Sequence, residues 1–121
     1  MSTNTPSPNF TPVELAHFKD LQTLFASLNT AARDPFTPTA ALALLLPRID
    51  TVAGEIQAMN DLALHRDTIN LKAEADTLRP ATTDLKQLKT ELASYAKTTQ
   101  ALQDVAGALD QVLAAAQALG V

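Results

Sequence analysis

"TLRPATTDL", residues 77–85, lies between two long stretches of helical pattern, and the reading of its proline decides the fold. Proline lacks a backbone donor and its ring clashes with the preceding turn, so it ends or kinks a helix. If one helix ran through Pro80, residues 38–119 would form a rod of roughly 120 Å at ~1.5 Å per residue. Its apolar stripes would then need partners from other chains. If the chain reverses at Pro80, two arms of about 40 residues cover each other, which is how a solitary small domain gains most burial. Thr82 or Thr83 would cap the returning helix, with Asp84 favourable in its first turn. The stretch is read as a reversal.

The pattern on either side supports helices. "TPVE", residues 11–14, joins a capping Thr11, a Pro12 suited to the first helical position and a Glu14 placed for a capping box. Leu15, Phe18, Leu21, Phe25, Leu28 and Ala32 follow at steps of three and four, with Leu24 alongside. "RDPFTP" ends this helix, because Pro35 disfavours helical geometry at Asp34. Thr37 and Pro38 repeat the start signal. Leu42, Leu45, Ile49, Val52, Ile56 and Met59 then form a second stripe, with Pro47 expected to kink the helix or split off its first turns. That stripe slips by one residue between Leu62 and Asp67 and resumes as Leu64, Thr68, Leu71, Ala75 and Leu78. Such a slip needs a bulge or a break. After Pro80, Leu85, Leu88, Leu92, Tyr95, Thr99, Leu102, Ala106, Leu109, Leu113 and Ala116 keep strict three-four alternation, the repeat that holds a helix in register against a partner. Val105, Val112 and Leu119 add a flanking row only in the second half of that run, and a wide stripe implies two neighbours.

Composition sets the class. Apolar residues make up 46% of the 121, but they are chiefly alanine and leucine, with 4% aromatics and 3 glycines. Sheets need turn glycines and β-branched runs, whereas alanine and leucine are strong helix formers. The expected fold is all-α: a three-helix protein with a long antiparallel coiled-coil-like hairpin and a shorter N-terminal helix. The alternative is an up-down four-helix bundle broken near His65–Asp67 and near Lys97–Gln100. Residues 1–10 read as a flexible tail and 11–121 as a single domain, with Phe10 able to pack back on the first helix.

Several functions are excluded or disfavoured. Without cysteine there is no disulfide, thiolate metal site or thiol nucleophile. A net charge of −4 argues against nucleic-acid binding. No apolar run reaches the ~20 residues of a membrane span. The N-terminus lacks the regions of a secretory signal, so the expected location is cytoplasmic. The serines have no glycine elbow, and the glycines are isolated rather than gathered in a phosphate loop. The chain is therefore expected to be no enzyme and to need no cofactor.

Two constellations remain. "ELAH", residues 14–17, is a Glu-x-x-His pair of the kind that supplies ligands in carboxylate-bridged metal bundles. An antiparallel second helix would bring Glu55 level with His17, and a returning arm would bring Asp104 to about the same height. Glu14, His17 and Glu55 are thus the metal candidates. Against them stand the missing second Glu-x-x-His pair and the capping role of Glu14. Asp61 and His65 form a further one-face pair. The second constellation is the hairpin tip, residues 63–97, with six basic residues against five acidic, where the remainder has three against eight. A bare two-helix tip buries little surface and should find a partner. Leu71, Leu78, Leu85, Leu88 and Leu92, rimmed by Arg79, Lys86 and Lys89, are the expected partner-binding residues. The expected function is non-enzymatic assembly, combining homo-oligomer formation with capture of another protein through helical faces.

Overall fold

The computed structural model describes residues 10–64 and 71–121, with the side chains of 64 and 71–75 outside the description. Four α-helices follow in chain order: α1 Pro12–Arg33, α2 Thr39–Leu64, α3 Leu71–Leu92 and α4 Gln100–Leu119. There is no strand among the described residues.

The start of α1 follows its sequence. Thr11 is extended, its hydroxyl accepts from the Glu14 backbone N–H at 3.2 Å, and Glu14 Oε1 accepts from the Thr11 N–H at 2.8 Å. Two orphan donors of the first turn are satisfied reciprocally. Phe10 packs back as expected, its ring centroid 5.1 Å from that of Phe18. The rest of the expected tail, residues 1–9, lies outside the described residues. Asp34 ends α1, and its Oδ1 accepts from the Phe36 N–H at 2.9 Å. Thr37 was expected to cap the next helix; instead its hydroxyl donates to the Ala31 carbonyl at 2.6 Å, closing the helix before it.

The chain does not reverse at Pro80. Pro80 lies inside α3, as Pro47 lies inside α2. Both rings are on exposed positions, so the carbonyls they leave without a helical donor, at Ala43 and Asp76, are also on the solvent side and can bond water. The residues flanking Pro80 on the inner side, Leu78, Thr82 and Leu85, are buried in one continuous row. Burial of that row outweighs one lost hydrogen bond. The three-helix hairpin is therefore corrected to four helices among the described residues; the alternative's break near Lys97–Gln100 falls at the turn before α4, and its break near His65–Asp67 lies outside the described residues. The phase slip has the same cause. Ala63 is buried on the stripe of α2 and Leu78 on that of α3, so the two phases belong to two different helices.

The reversal lies instead at residues 93–99, beside the Lys97–Gln100 break of the four-helix alternative. Tyr95 N–H donates to the Leu92 carbonyl at 2.8 Å and Thr98 N–H to the Tyr95 carbonyl at 2.9 Å, winding a tight turn. Thr99 is extended and caps α4, accepting from the Leu102 N–H at 3.2 Å. At the far end Gly120 takes a left-handed φ of 81°, which lets the Val121 N–H reach the Ala116 carbonyl at 3.0 Å.

Packing closes a ring. Among the described residues α1 packs on α2 and α4, and α3 packs on the same two helices; the α1–α4 seam is the most intimate and the α3–α4 seam the loosest. Lateral contacts run His17 to Glu55, Arg48 to Glu91 and Lys89 to Asp110. In the first two an earlier residue of one helix meets a later one of the next, and along the third seam Leu92 lies by Ala106 while Lys86 lies by Gln117, so neighbours are antiparallel. Having two neighbours rotates the buried arc of each helix. In α1 the buried apolar residues are Phe18, Leu21, Leu24, Leu28 and Ala31, beside buried His17, with Phe25 only half-buried. In α4 the row Leu102, Val105, Leu109, Val112 and Ala116 is central, and Leu113 is half-buried. Two residues of the expected flanking row, Val105 and Val112, thus join the core, and the third, Leu119, is half-buried.

Candidate functional site

Among the described residues an interior of leucine and alanine holds four buried polar side chains: His17, Arg48, Glu55 and Thr82. Thr82 is accounted for locally, its hydroxyl donating to the Leu78 carbonyl at 3.5 Å. The other three are long-range. Arg48 and Glu55 are seven residues apart on α2, hence on one face. Each reaches a different neighbouring helix.

Glu55 reaches α1. Its Oε1 lies 3.3 Å from His17 Nε2, with the two side chains 1% and 0% exposed. A proton on Nε2 makes the histidine the donor. His17 Nδ1 and Glu55 Oε2 have no hydrogen-bond partner. The level expected for Glu55 opposite His17 is the one observed. Glu14, the third metal candidate, is instead turned to its capping bond with Thr11. Asp104 is exposed and accepts from Gln100 Nε2 at 2.9 Å on its own helix. Among the described residues no group of three or more His, Cys, Asp or Glu is placed to hold a metal ion. His65, the partner expected for Asp61, lies outside the described residues.

Arg48 reaches α3. Its Nη2 is 3.3 Å from Asp84 Oδ1 and 3.2 Å from Glu91 Oε1, and its Nη1 donates to the Leu44 carbonyl at 3.2 Å. Thr51 adds a bond from its hydroxyl to Asp84 Oδ2 at 2.9 Å. The arginine side chain is 10% exposed and the two carboxylates 34% and 37%. A buried cation is thus held by acids that still touch water. Sequence reading missed this residue by tracing the α2 stripe through Ile49. The signal was present, since Arg48 sits three after Leu45 and four before Val52, both fully buried.

The expected partner-binding residues divide. Leu78, Leu85, Leu88 and Leu92 are buried in the intramolecular core, because α4 and α2 cover the face assigned to a bare tip. They are corrected from docking residues to core residues. The side chain of Leu71 lies outside the described residues. Arg79 is exposed and pairs with Asp76 at 3.1 Å, within its own helix. Lys86 and Lys89 are exposed, and Lys89 Nζ meets Asp110 Oδ1 at 2.6 Å across the α3–α4 seam.

That seam is grooved. A depression of about 230 Å³ is walled by Leu92, Ala93, Ala96, Ala106 and Leu109. A second of about 670 Å³ runs past Lys86 to Leu113, Ala114, Gln117 and Val121. Lys89 and Asp110 line both, so their ion pair lies between them. On the α2–α3 seam another groove, of about 400 Å³, is lined by Gly54, Ala58, Pro80, Ala81 and Asp84, with Glu55 in its wall. Among the described residues no helix is long and apolar enough to cross a membrane. Comparison with family models, curated proteins and solved structures finds no match to this chain.

Proposed function

We propose that the protein is a cytoplasmic, non-enzymatic assembly module that self-associates and binds a protein partner through helical faces. The observation that carries the reading is the loose α3–α4 seam. Its walls are exposed and half-buried alanines (Ala93, Ala96, Ala106, Ala114) and half-buried Leu113 over the buried Leu92 and Leu109, small enough for the backbone of another helix to approach closely. Lys86 and Lys89 stand on its rim, so the fitting partner is an amphipathic helix flanked by acidic residues. In this reading Lys86 and Lys89 form the charged rim, Arg79 is left to its pair with Asp76, and the leucines between them serve the core. Self-association draws on Phe36 and Leu46, large apolar side chains 79% and 51% exposed at the α1–α2 connection and early in α2.

Two measurements test this. Light scattering across concentration is expected to show a mass above that of one chain, reduced by Phe36→Ser with Leu46→Ser. A synthetic amphipathic helix with glutamates flanking its apolar stripe is expected to shift the amides of residues 86–114, and Lys86→Glu with Lys89→Glu should weaken it by tenfold or more, about the effect of losing two charge contacts. A monomer at every concentration that also ignores the peptide sinks the proposal.

A further inference from the structure

The chain carries a knob and, on the opposite edge of the ring, a depression large enough to take it. Phe36 is 79% exposed, the most of any large apolar side chain among the described residues. It is also held firmly. Its N–H donates to Asp34 Oδ1 at 2.9 Å, and the Thr37 N–H donates to the Asp34 carbonyl at 3.1 Å. The Thr37 hydroxyl ties the same turn to the Ala31 carbonyl at 2.6 Å, and Pro35 and Pro38 fix two further backbone angles. An aromatic ring presented on a fixed turn loses little freedom on binding, which is the condition for an anchor.

The smaller α3–α4 depression offers about 230 Å³ between Leu92, Ala93, Ala96, Ala106 and Leu109. An apolar space of about 150 Å³ already suffices for a benzene ring. Lys89 and Asp110 line the depression, and Arg33 and Asp34 precede Phe36. Each face therefore carries one charge of each sign, and one orientation sets Asp34 against Lys89 and Arg33 against Asp110. Phe36 cannot serve the depression of its own chain. In the ring, α1 and α2 form one edge and α3 and α4 the opposite one, so the α1–α2 connection lies across the core from the α3–α4 seam. We infer that Phe36 of one copy seats in the α3–α4 depression of a second copy, among Leu92, Ala96, Ala106 and Leu109. The inference rests on the reading that the chain self-associates, and it names the joint. Knob and socket are different surfaces, so the contact is heterologous. A partner helix laid along the seam covers the same depression, and the two occupants compete for it.

One aromatic ring in one depression buries far less than the ~1,200 Å² of a stable interface, so association is weak, with a Kd of about 0.1–1 mM. Two full-length variants test the joint by complementation. Phe36→Ser removes the knob, and Ala106→Leu fills the socket from a half-buried position on α4. Each alone is expected to sediment as a monomer up to about 2 mM, with helix content retained. Mixed, they are expected to form a complex of two chains with the affinity of the unaltered chain. Amide shifts should then be confined to residues 89–96 and 106–110 of the Phe36→Ser chain and to residues 33–38 of the Ala106→Leu chain. Ala93→Leu, at an exposed position on the same wall, fills the socket by a second route and is expected to behave as Ala106→Leu does. Self-association that survives Phe36→Ser or both socket fillings, or a mixture that stays apart, overturns the inference and leaves self-association itself standing. A monomer for the unaltered chain overturns both.

Discussion

Arg48 Nη2 lies 3.2 Å from Glu91 Oε1, and this contact joins a nearly buried cation on α2 to a carboxylate on α3 that still reaches solvent. The two ends of the bond therefore respond differently to its loss.

Arg48→Met removes the cation but keeps the stem that packs on the core. Asp84 and Glu91 can rehydrate, so the change should destabilise by no more than about 1 kcal/mol. Asp84→Asn with Glu91→Gln leaves the guanidinium buried without a counter-charge, and about 3 kcal/mol or more should be lost. Urea unfolding of the two variants checks the asymmetry, and equal losses would contradict the burial difference.

The His17–Glu55 pair calls for a double-mutant cycle. Either single change, His17→Leu or Glu55→Leu, strands the other polar group in the interior and should destabilise by about 3 kcal/mol. The double variant should recover most of that loss, since two apolar side chains leave nothing unpaired. A coupling energy near zero in thermal or urea melts rules out the direct contact.

Glycines separate by backbone conformation. Added Cβ atoms at Gly54 and Gly107 meet nothing within 4 Å, and neither residue has positive φ. Alanine at each should raise stability by about 0.5–1 kcal/mol, as helix interiors favour it. Gly120→Ala should lower stability by about 1 kcal/mol, because φ of 81° strains any side chain there. Opposite signs in calorimetry are the expected readout.

The path of the chain through Pro80 can be measured directly. Spin labels at the exposed positions Asp76 and Thr90 should sit about 21 Å apart along a continuous α3, at ~1.5 Å per residue. A turn at Pro80 would bring them within roughly 10 Å, the spacing of packed helices. Leu85→Ala and Leu88→Ala are each expected to destabilise by about 2–5 kcal/mol, the range for buried leucines, and Lys86→Ala by almost nothing.

Helical class, the capping box at Thr11 and Glu14, the end of α1 at "RDPFTP" and the level of Glu55 opposite His17 were all legible in local pattern. The turn before α4 entered only through the four-helix alternative, near Lys97–Gln100, and not through the apolar pattern. Residues 93–99 number seven, one full heptad, so the three-four alternation continues across them in phase and periodicity cannot see the break. Pro80 misled for the converse reason: a helix breaker by local rule is tolerated where its freed carbonyl faces water and its neighbours are buried.

Sequence by itself determined that the chain is helical, where its helices could begin, and which residue types had to leave water. Only the tertiary structure decided that four helices close into a ring. That closure placed Leu78, Leu85, Leu88 and Leu92 inside, moved the centre of each buried arc toward a second neighbour, and turned Arg48 and Glu55 inward together. The physical reason is that periodicity marks a face without saying how many helices cover it. The number of neighbours is set by the burial that all four helices achieve together.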